Sequence, residues 1–100
     1  MATKIFAQKL KALREENNIL QRQIAALLEI DTPLYSRYER GERPVKEEYL
    51  SKLADYYSVD YNELRDIWLA DKVYSVVAEE ESAAQVLDIV AENVAKYGVK

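Results

Sequence analysis

The chain has 100 residues, of which 49% are hydrophobic and 32% charged, and it contains neither cysteine nor histidine. This length supports one domain or slightly more, with a modest core that often gains from oligomerisation. The missing residue types exclude disulfides and a cysteine nucleophile, and they argue against structural zinc and histidine-based catalysis. We therefore expect a non-enzymatic subunit of an oligomer, without a bound metal or cofactor.

The net charge of −4 is unevenly distributed. Residues 1–46 contain nine basic and six acidic residues, a net charge of +3, so residues 47–100 carry −7. Alone, this asymmetry indicates a solvated surface, but a basic first half is compatible with a polyanionic partner, since phosphate binding depends on local positive charge. No apolar run approaches the roughly 20 residues of a membrane span, and residues 1–11 lack a signal-peptide core. We expect a cytoplasmic protein without membrane contact.

Apolar residues at helical spacing predict two helices in the first third of the chain. The first, over about residues 3–17, has an inward stripe formed by Phe6, Leu10 and Leu13. The second, beginning near residue 21, has a stripe formed by Ile24, Ala25 and Leu28. Small residues in the second helix favour a close crossing with a neighbouring helix.

A third helix is predicted over residues 32–40. Asp31 is a good N-cap, and Pro33 lies in the first turn, where its missing N–H costs nothing. Gly41 is a typical C-terminal glycine, and Pro44 prevents the helix from resuming. The segment 20–43 is therefore predicted to form a short helix, a tight turn and a second short helix.

One face of this third helix is polar and basic. At about 100° per residue its members fall within an arc of about 140°: Thr32, Pro33, Ser36, Arg37 and Arg40. The opposite side is apolar and consists of Leu34, Tyr35 and Tyr38. We therefore expect the apolar face to pack against the core and the polar face to lie on the surface. A hydroxyl, a small apolar group and two guanidiniums can contact a thymine methyl, phosphates and the O6/N7 edge of guanine.

Three further helices follow. The fourth covers residues 45–57, with Leu50, Leu53, Ala54 and Tyr57 inward. The fifth begins after Asp60, which forms a capping box with Glu63, and it runs to about Ala78. The sixth is predicted to be capped by Ser82 and to reach about Tyr97.

The last two helices form a helical hairpin with two apolar stripes. One stripe consists of Val73, Val76 and Val77, and the other of Val86, Leu87, Val90, Val94 and Tyr97. Two interpretations are open. The stripes can bury each other within one chain, as a short connection favours. Alternatively they form a dimer interface, since a protein that contacted DNA through the polar face of the third helix would gain most by binding two half-sites at once.

The sequences LKALREENNI (residues 10–19), QIAALLEI (23–30) and YSRYERGERP (35–44) resemble those of the phage-repressor and Cro type of helix-turn-helix domain, the XRE family. The resemblance covers about the first 70 residues. It implies an all-α fold in which residues 1–69 form a five-helix DNA-binding domain. Residues 70–100 are then a C-terminal helical extension and a candidate dimerisation element.

The resemblance also implies roles for individual residues. Arg14 and Glu39 match a salt bridge that lies behind the recognition helix in the family. Gln21 matches a phosphate-binding glutamine, and the base-reading positions match Thr32, Pro33 and Arg37. Three positions depart from the family pattern: Leu20 replaces a capping Ser or Thr, Glu29 replaces a turn glycine, and Pro33 can contact a base only through apolar atoms.

We therefore expect a sequence-specific regulator of transcription, a repressor or autoregulator, that binds double-stranded DNA as a homodimer. The residues expected to hold phosphates are Gln21, Arg40, Arg43 and Lys46. Those expected to meet base edges are Thr32, Pro33, Ser36 and Arg37. The alternative is an antitoxin or adaptor whose acidic C-terminal helices bind a partner protein and whose DNA contact is secondary.

Overall fold

The computed structural model describes residues 5–98, which form six α-helices and no β-strand. The helices are α1 (Ile5–Glu16), α2 (Gln21–Leu28), α3 (Thr32–Glu39), α4 (Leu50–Tyr57), α5 (Tyr61–Val77) and α6 (Ala83–Tyr97). A 3-10 turn, Glu47–Tyr49, precedes α4. The all-α class and the helical C-terminal extension are confirmed. The start of the first helix near residue 3 lies outside the described residues.

The first five helices pack around one hydrophobic core, because each contributes the apolar stripe seen in its sequence. The fully buried side chains come from all of them and are Tyr35, Leu10, Ile24, Leu50, Leu53 and Leu64. Tyr38 and Trp68 are also buried in this core. The inward side of α3 is therefore fixed by packing, which leaves its opposite side on the surface.

The turn between α2 and α3 keeps the left-handed geometry for which the family pattern has glycine, although Glu29 occupies that position here. Glu29 is left-handed, with φ 60° and ψ 43°, a conformation that costs a non-glycine residue about 1 kcal/mol.

At the other end of α2, Leu20 is the N-cap and provides no side-chain hydrogen bond. Its own backbone N–H instead donates to Gln23 Oε1 over 2.8 Å. Gln23 thus supplies one half of a capping box.

The fourth helix was predicted to begin at residue 45, but in the structure α4 begins later, at Leu50. The chain is extended at Lys46 (φ −70°, ψ 141°), and regular α-helix starts at Leu50 after the 3-10 turn. The reason is tertiary. The backbone carbonyl of buried Val45 accepts a 2.7 Å hydrogen bond from Trp68 Nε1 on α5, and this contact holds the segment before α4 against the core.

Helix α5 is continuous from Tyr61 to Val77, as its sequence predicted. The Asp60 side chain caps it by accepting from the Glu63 N–H over 2.9 Å. The boundary assigned after residue 69 therefore lies inside a helix. Beyond that boundary, the Asp71 carboxylate accepts hydrogen bonds from the backbone N–H groups of Ile5 and Phe6, over 3.1 and 2.8 Å. The extension is thus connected to α1.

Helix α6 covers the predicted residues, but the capping role given to Ser82 is wrong. The Ser82 side chain makes no capping hydrogen bond, and its backbone (φ −95°, ψ 25°) is not the extended form that a capping serine adopts. No residue of α6 is buried. Val90 is 47% exposed and Val94 is 62% exposed, whereas Val77 on α5 is 6% exposed. Packing within the chain therefore covers Val77 and leaves the α6 stripe open to solvent.

Across residues 5–98, no helix is both long and apolar enough to cross a membrane.

Candidate nucleic-acid interface

The face that α3 presents to solvent is the one expected from the sequence. Pro33, Arg37 and Arg40 are exposed, and Thr32 and Ser36 are partly exposed. Helix α3 ends at Glu39, and Arg40 is its C-cap with helical backbone angles. Asp31 caps the other end by accepting from the Leu34 N–H over 2.8 Å. The loop that follows α3 adds two more exposed cations, Arg43 and Lys46.

Arg37 has a different environment from its neighbour Arg40. Its side chain is exposed and makes no hydrogen bond or ion pair among residues 5–98, although its charge interacts with that of Glu42. Arginine carries five N–H donors in a planar fork, which suits bidentate contacts to guanine or to phosphate. Arg37 therefore presents its full set of side-chain donors to solvent.

Arg40, in contrast, is engaged by two partners. Its Nε donates to Glu42 Oε2 over 2.9 Å and its Nη2 donates to Glu42 Oε1 over 3.2 Å. Its Nη1 donates to the Ser36 hydroxyl. The hydrogen bond from Arg40 lowers the pKa of the Glu42 carboxyl below its ordinary value. The sequence predicted DNA contacts for Ser36 and Arg40 but gave no indication of the role of Glu42, because a pair two residues apart across a glycine has no helical spacing.

Gln21 lies at the start of α2, half-buried. Its Nε2 donates to Glu39 Oε1 over 3.1 Å, so one amide hydrogen is used inside the protein and one remains. The first backbone N–H groups of a helix have no intrahelical acceptor. Gln21 is thus held in place by Glu39, at a position where side-chain and backbone donors are both available.

Behind α3, Arg14 and Glu39 form the ion pair that the resemblance implied. Arg14 Nε donates to Glu39 Oε2 over 2.6 Å, and Nη2 donates to Oε1 over 3.1 Å. The Arg14 side chain is 15% exposed and that of Glu39 is 3% exposed. Arg14 Nη1 also donates to the carbonyl oxygen of Ile19 over 2.9 Å. This prediction is confirmed: the pair connects α1, the loop before α2, and α3.

The electrostatic balance at Glu39 favours its charged form. Burial alone would raise the pKa of the carboxyl, but hydrogen bonds and the positive charge of Arg14 outweigh burial and lower the pKa below its ordinary value. The hydroxyls of Tyr35 and Tyr57 are buried nearby without a hydrogen-bond partner among residues 5–98. Tyr35 helps to lower the pKa of Glu39, although the geometry falls short of a hydrogen bond.

Both tyrosines respond to this environment in the opposite direction. Burial, reinforced by the negative charge of Glu39, raises the pKa of Tyr57 to about 12. Burial raises the pKa of Tyr35 even further. The core behind α3 is therefore a polar cluster of Arg14, Gln21, Tyr35, Glu39 and Tyr57. The sequence predicted inward positions for both tyrosines but gave no indication that their hydroxyls would face the ion pair.

A protein-family model described as helix-turn-helix matches residues 10–64 of this chain. The matched segment contains most of α1, all of α2, α3 and α4, and every residue assigned to the interface. Comparison with curated proteins gave no match, and neither did comparison with solved structures.

Proposed function

The chain belongs to the XRE-type helix-turn-helix family of DNA-binding transcription regulators, and on that premise we propose that it recognises a specific sequence by placing α3 in the major groove. The observation that carries this proposal is the contrast between the two sides of α3. The inner side is fixed by buried Tyr35 and by the Arg14–Glu39 ion pair. The outer side presents the unpaired donors of Arg37.

Within this proposal the residues of the interface divide by the part of DNA that they meet. Base edges are contacted from α3 by Thr32, Pro33, Ser36 and Arg37. Phosphates are contacted from the start of α2 and from the segment after α3 by Gln21, Arg40, Arg43 and Lys46. Arg37 suits the O6 and N7 atoms of guanine, whereas Pro33 offers apolar contact to a thymine methyl.

We further propose that the protein is a homodimer. It represses the promoters to which it binds, including the promoter of its own gene. The exposed stripe on α6 supports the dimer. Leu87, Val90, Val94 and Tyr97 follow the three- and four-residue spacing of helices that pair along an apolar seam. A dimer binds two half-sites, and the second contact gains from effective concentration. Such a regulator would act in the cytoplasm, in contact with the chromosome.

The same exposed stripe also supports the second candidate function. An antitoxin or adaptor would use α6 to bind a different protein, and the carboxylates Asp88 and Glu92 on α6 would favour a basic partner. The state of the purified protein distinguishes the two. A stable dimer supports the regulator, whereas a monomer that keeps α6 exposed supports a second protein as the occupant.

Selection from a random library of DNA duplexes, followed by footprinting of the enriched sequence, tests the proposed function. We expect one two-fold symmetric sequence, with half-site centres about 10 base pairs apart or a multiple of that distance. Footprinting of the DNA upstream of its own gene then tests autoregulation. Equal affinity for all duplexes after selection would contradict sequence-specific recognition.

A further inference from the structure

We propose that Glu42 sets how strongly this protein binds DNA of any sequence, because it occupies the donors of Arg40 that a phosphate needs. The inference rests on the proposed function. Glu42 is not one of the eight residues expected to contact DNA, and it competes with DNA for one of them, Arg40.

The first step is the contact itself. Glu42 accepts from two nitrogens of Arg40, over 2.9 and 3.2 Å, while Ser36 accepts from a third. Phosphate oxygens and carboxylate oxygens bind the guanidinium fork with the same geometry. Arg40 therefore cannot hold a phosphate with its Nε and Nη2 until Glu42 has released them.

The second step is that the backbone fixes Glu42 in this position. Gly41 is left-handed at φ 72°, its N–H donates to the carbonyl of Tyr38, and the Glu42 N–H donates to the carbonyl of Arg37 over 2.9 Å. These are the two hydrogen bonds of a Schellman motif. The motif keeps Glu42 against the last turn of α3, so its pairing with Arg40 follows from the turn.

The third step is that the negative charge of Glu42 contributes little to the stability of the fold. Its pair with Arg40 is about half exposed on both sides, and exposed pairs stabilise proteins weakly. The C-terminal end of a helix also carries partial negative charge, which disfavours a carboxylate there. The main consequence of Glu42 therefore arises when a polyanion approaches.

The fourth step concerns specificity. When Arg40 moves to a phosphate, the Glu42 carboxylate is left unpaired beside the DNA backbone, and this penalty is the same for every base sequence. The donors of Arg37 are not hydrogen-bonded to Glu42, which interacts with Arg37 only through its charge, so Arg37 can contact bases without first breaking a bidentate pair. Glu42 therefore weakens non-specific attachment, and the cognate sequence overcomes the penalty through its base contacts.

A double-mutant cycle on the full chain tests this inference, with a short mixed-sequence DNA duplex at low salt as the probe. The proteins are the parent, Glu42→Gln, Arg40→Gln and the double variant. Glu42→Gln should bind about threefold tighter than the parent. In the Arg40→Gln background the same change should give little or no gain, because the donors that Glu42 restrains are absent.

Glu48→Gln is the matched control, because Glu48 is an exposed carboxylate in the same stretch with the same charge. It should change affinity less than Glu42→Gln does. An equal gain from Glu42→Gln in both backgrounds would show simple charge repulsion and overturn the inference, and so would no gain in either. A parent protein that binds no duplex refutes the proposed function and this inference together, whereas a parent that binds as tightly as Glu42→Gln refutes the inference alone.

Discussion

Arg14 Nε lies 2.6 Å from Glu39 Oε2, and this contact joins the first helix to the helix that we propose reads DNA. Both side chains are largely shielded from water, and the Glu39 carboxylate also accepts from Gln21. The same carboxylate therefore organises α1, the start of α2 and the inner side of α3. The orientation of the proposed reading helix depends on an ion pair that never contacts DNA.

Replacing Glu39 with Gln should reduce the free energy of unfolding by about 3–5 kcal/mol, because it leaves the Arg14 guanidinium buried without its counter-charge. Urea denaturation at neutral pH measures the loss. Glu48→Gln, which removes an exposed carboxylate, should leave the midpoint unchanged. A loss below about 1 kcal/mol for Glu39→Gln would mean that the pair behaves as an exposed one.

The same comparison has a pH dependence of defined sign. The folded state lowers the pKa of Glu39, so the stabilisation is present above the ordinary pKa of 4.5 and is lost as pH falls through the folded value. Parent and Glu39→Gln should therefore converge in stability on acidification. If the difference between them were constant with pH, the stability would not depend on ionised Glu39.

Tyr57→Phe should change the alkaline side of the stability profile. The folded state raises the pKa of Tyr57 from 10.0 to about 12, so its contribution is fully present below pH 10 and is lost as pH rises towards 12. The variant should lose stability less steeply over this range. At neutral pH it should be as stable as the parent or more so, because the removed hydroxyl is buried without a partner among residues 5–98. Denaturation at several alkaline pH values tests both expectations.

Asp71→Ala should destabilise the protein by about 0.5–2 kcal/mol, the usual cost of losing a side chain that caps a helix N-terminus. Asp71 accepts from the backbone N–H groups of Ile5 and Phe6, which a methyl group cannot replace. Asp66→Ala removes an exposed carboxylate from the same helix and is the matched control. Equal thermal midpoints for the two variants would show that the Asp71 contact adds nothing.

These contacts show where sequence reasoning succeeded. Helix α3 was predictable because its signals are local: Asp31 at one end, Gly41 at the other and a one-sided apolar pattern between them. The Arg14–Glu39 pair came from the family resemblance, since the two residues are far apart in the chain and no periodicity relates them. The exposed face of α3 followed from the same local pattern.

The errors have a tertiary origin. The start of α4 was placed too early because the Val45 carbonyl bonds to Trp68, a partner that local propensity does not indicate. Ser82 has the right residue type for an N-cap but the wrong backbone angles. Asp71 was missed because its partners are free N–H groups of a helix more than half the chain away. The pattern of side chains along a sequence does not show which side chain will accept from the backbone N–H groups of a distant helix.

Arg37→Ala should weaken binding to the selected sequence by about 1–3 kcal/mol while leaving folding nearly unchanged, because Arg37 is exposed and unpaired among the described residues. Arg43→Ala should instead weaken binding to all sequences alike and flatten the salt dependence by about one charge. Titrations at several salt concentrations separate the two effects. Parent-like affinity of Arg37→Ala for the selected sequence would place the base contacts elsewhere.

Deleting the chain after residue 78 should yield a folded monomer, because α6 buries no side chain in the core. Its affinity for a two-half-site operator should fall by about 10²–10⁴ through loss of effective concentration alone. Val90→Glu should have the same effect on dimerisation, while Ile89→Glu, outside the stripe and 58% exposed, should not. Analytical ultracentrifugation decides. A full-length protein that stays monomeric well above about 1 μM would contradict the dimer.

Helix α5 runs without interruption for 17 residues, which is about 25 Å of helix. Its first half packs in the core and its far end leads to α6, so no flexible tether separates the two parts along this stretch. In a dimer joined through α6, the distance between the two reading helices would be a property of the fold. An operator lengthened or shortened between its half-sites should therefore lose much of the benefit of the second subunit, since the continuous α5 cannot stretch to follow it.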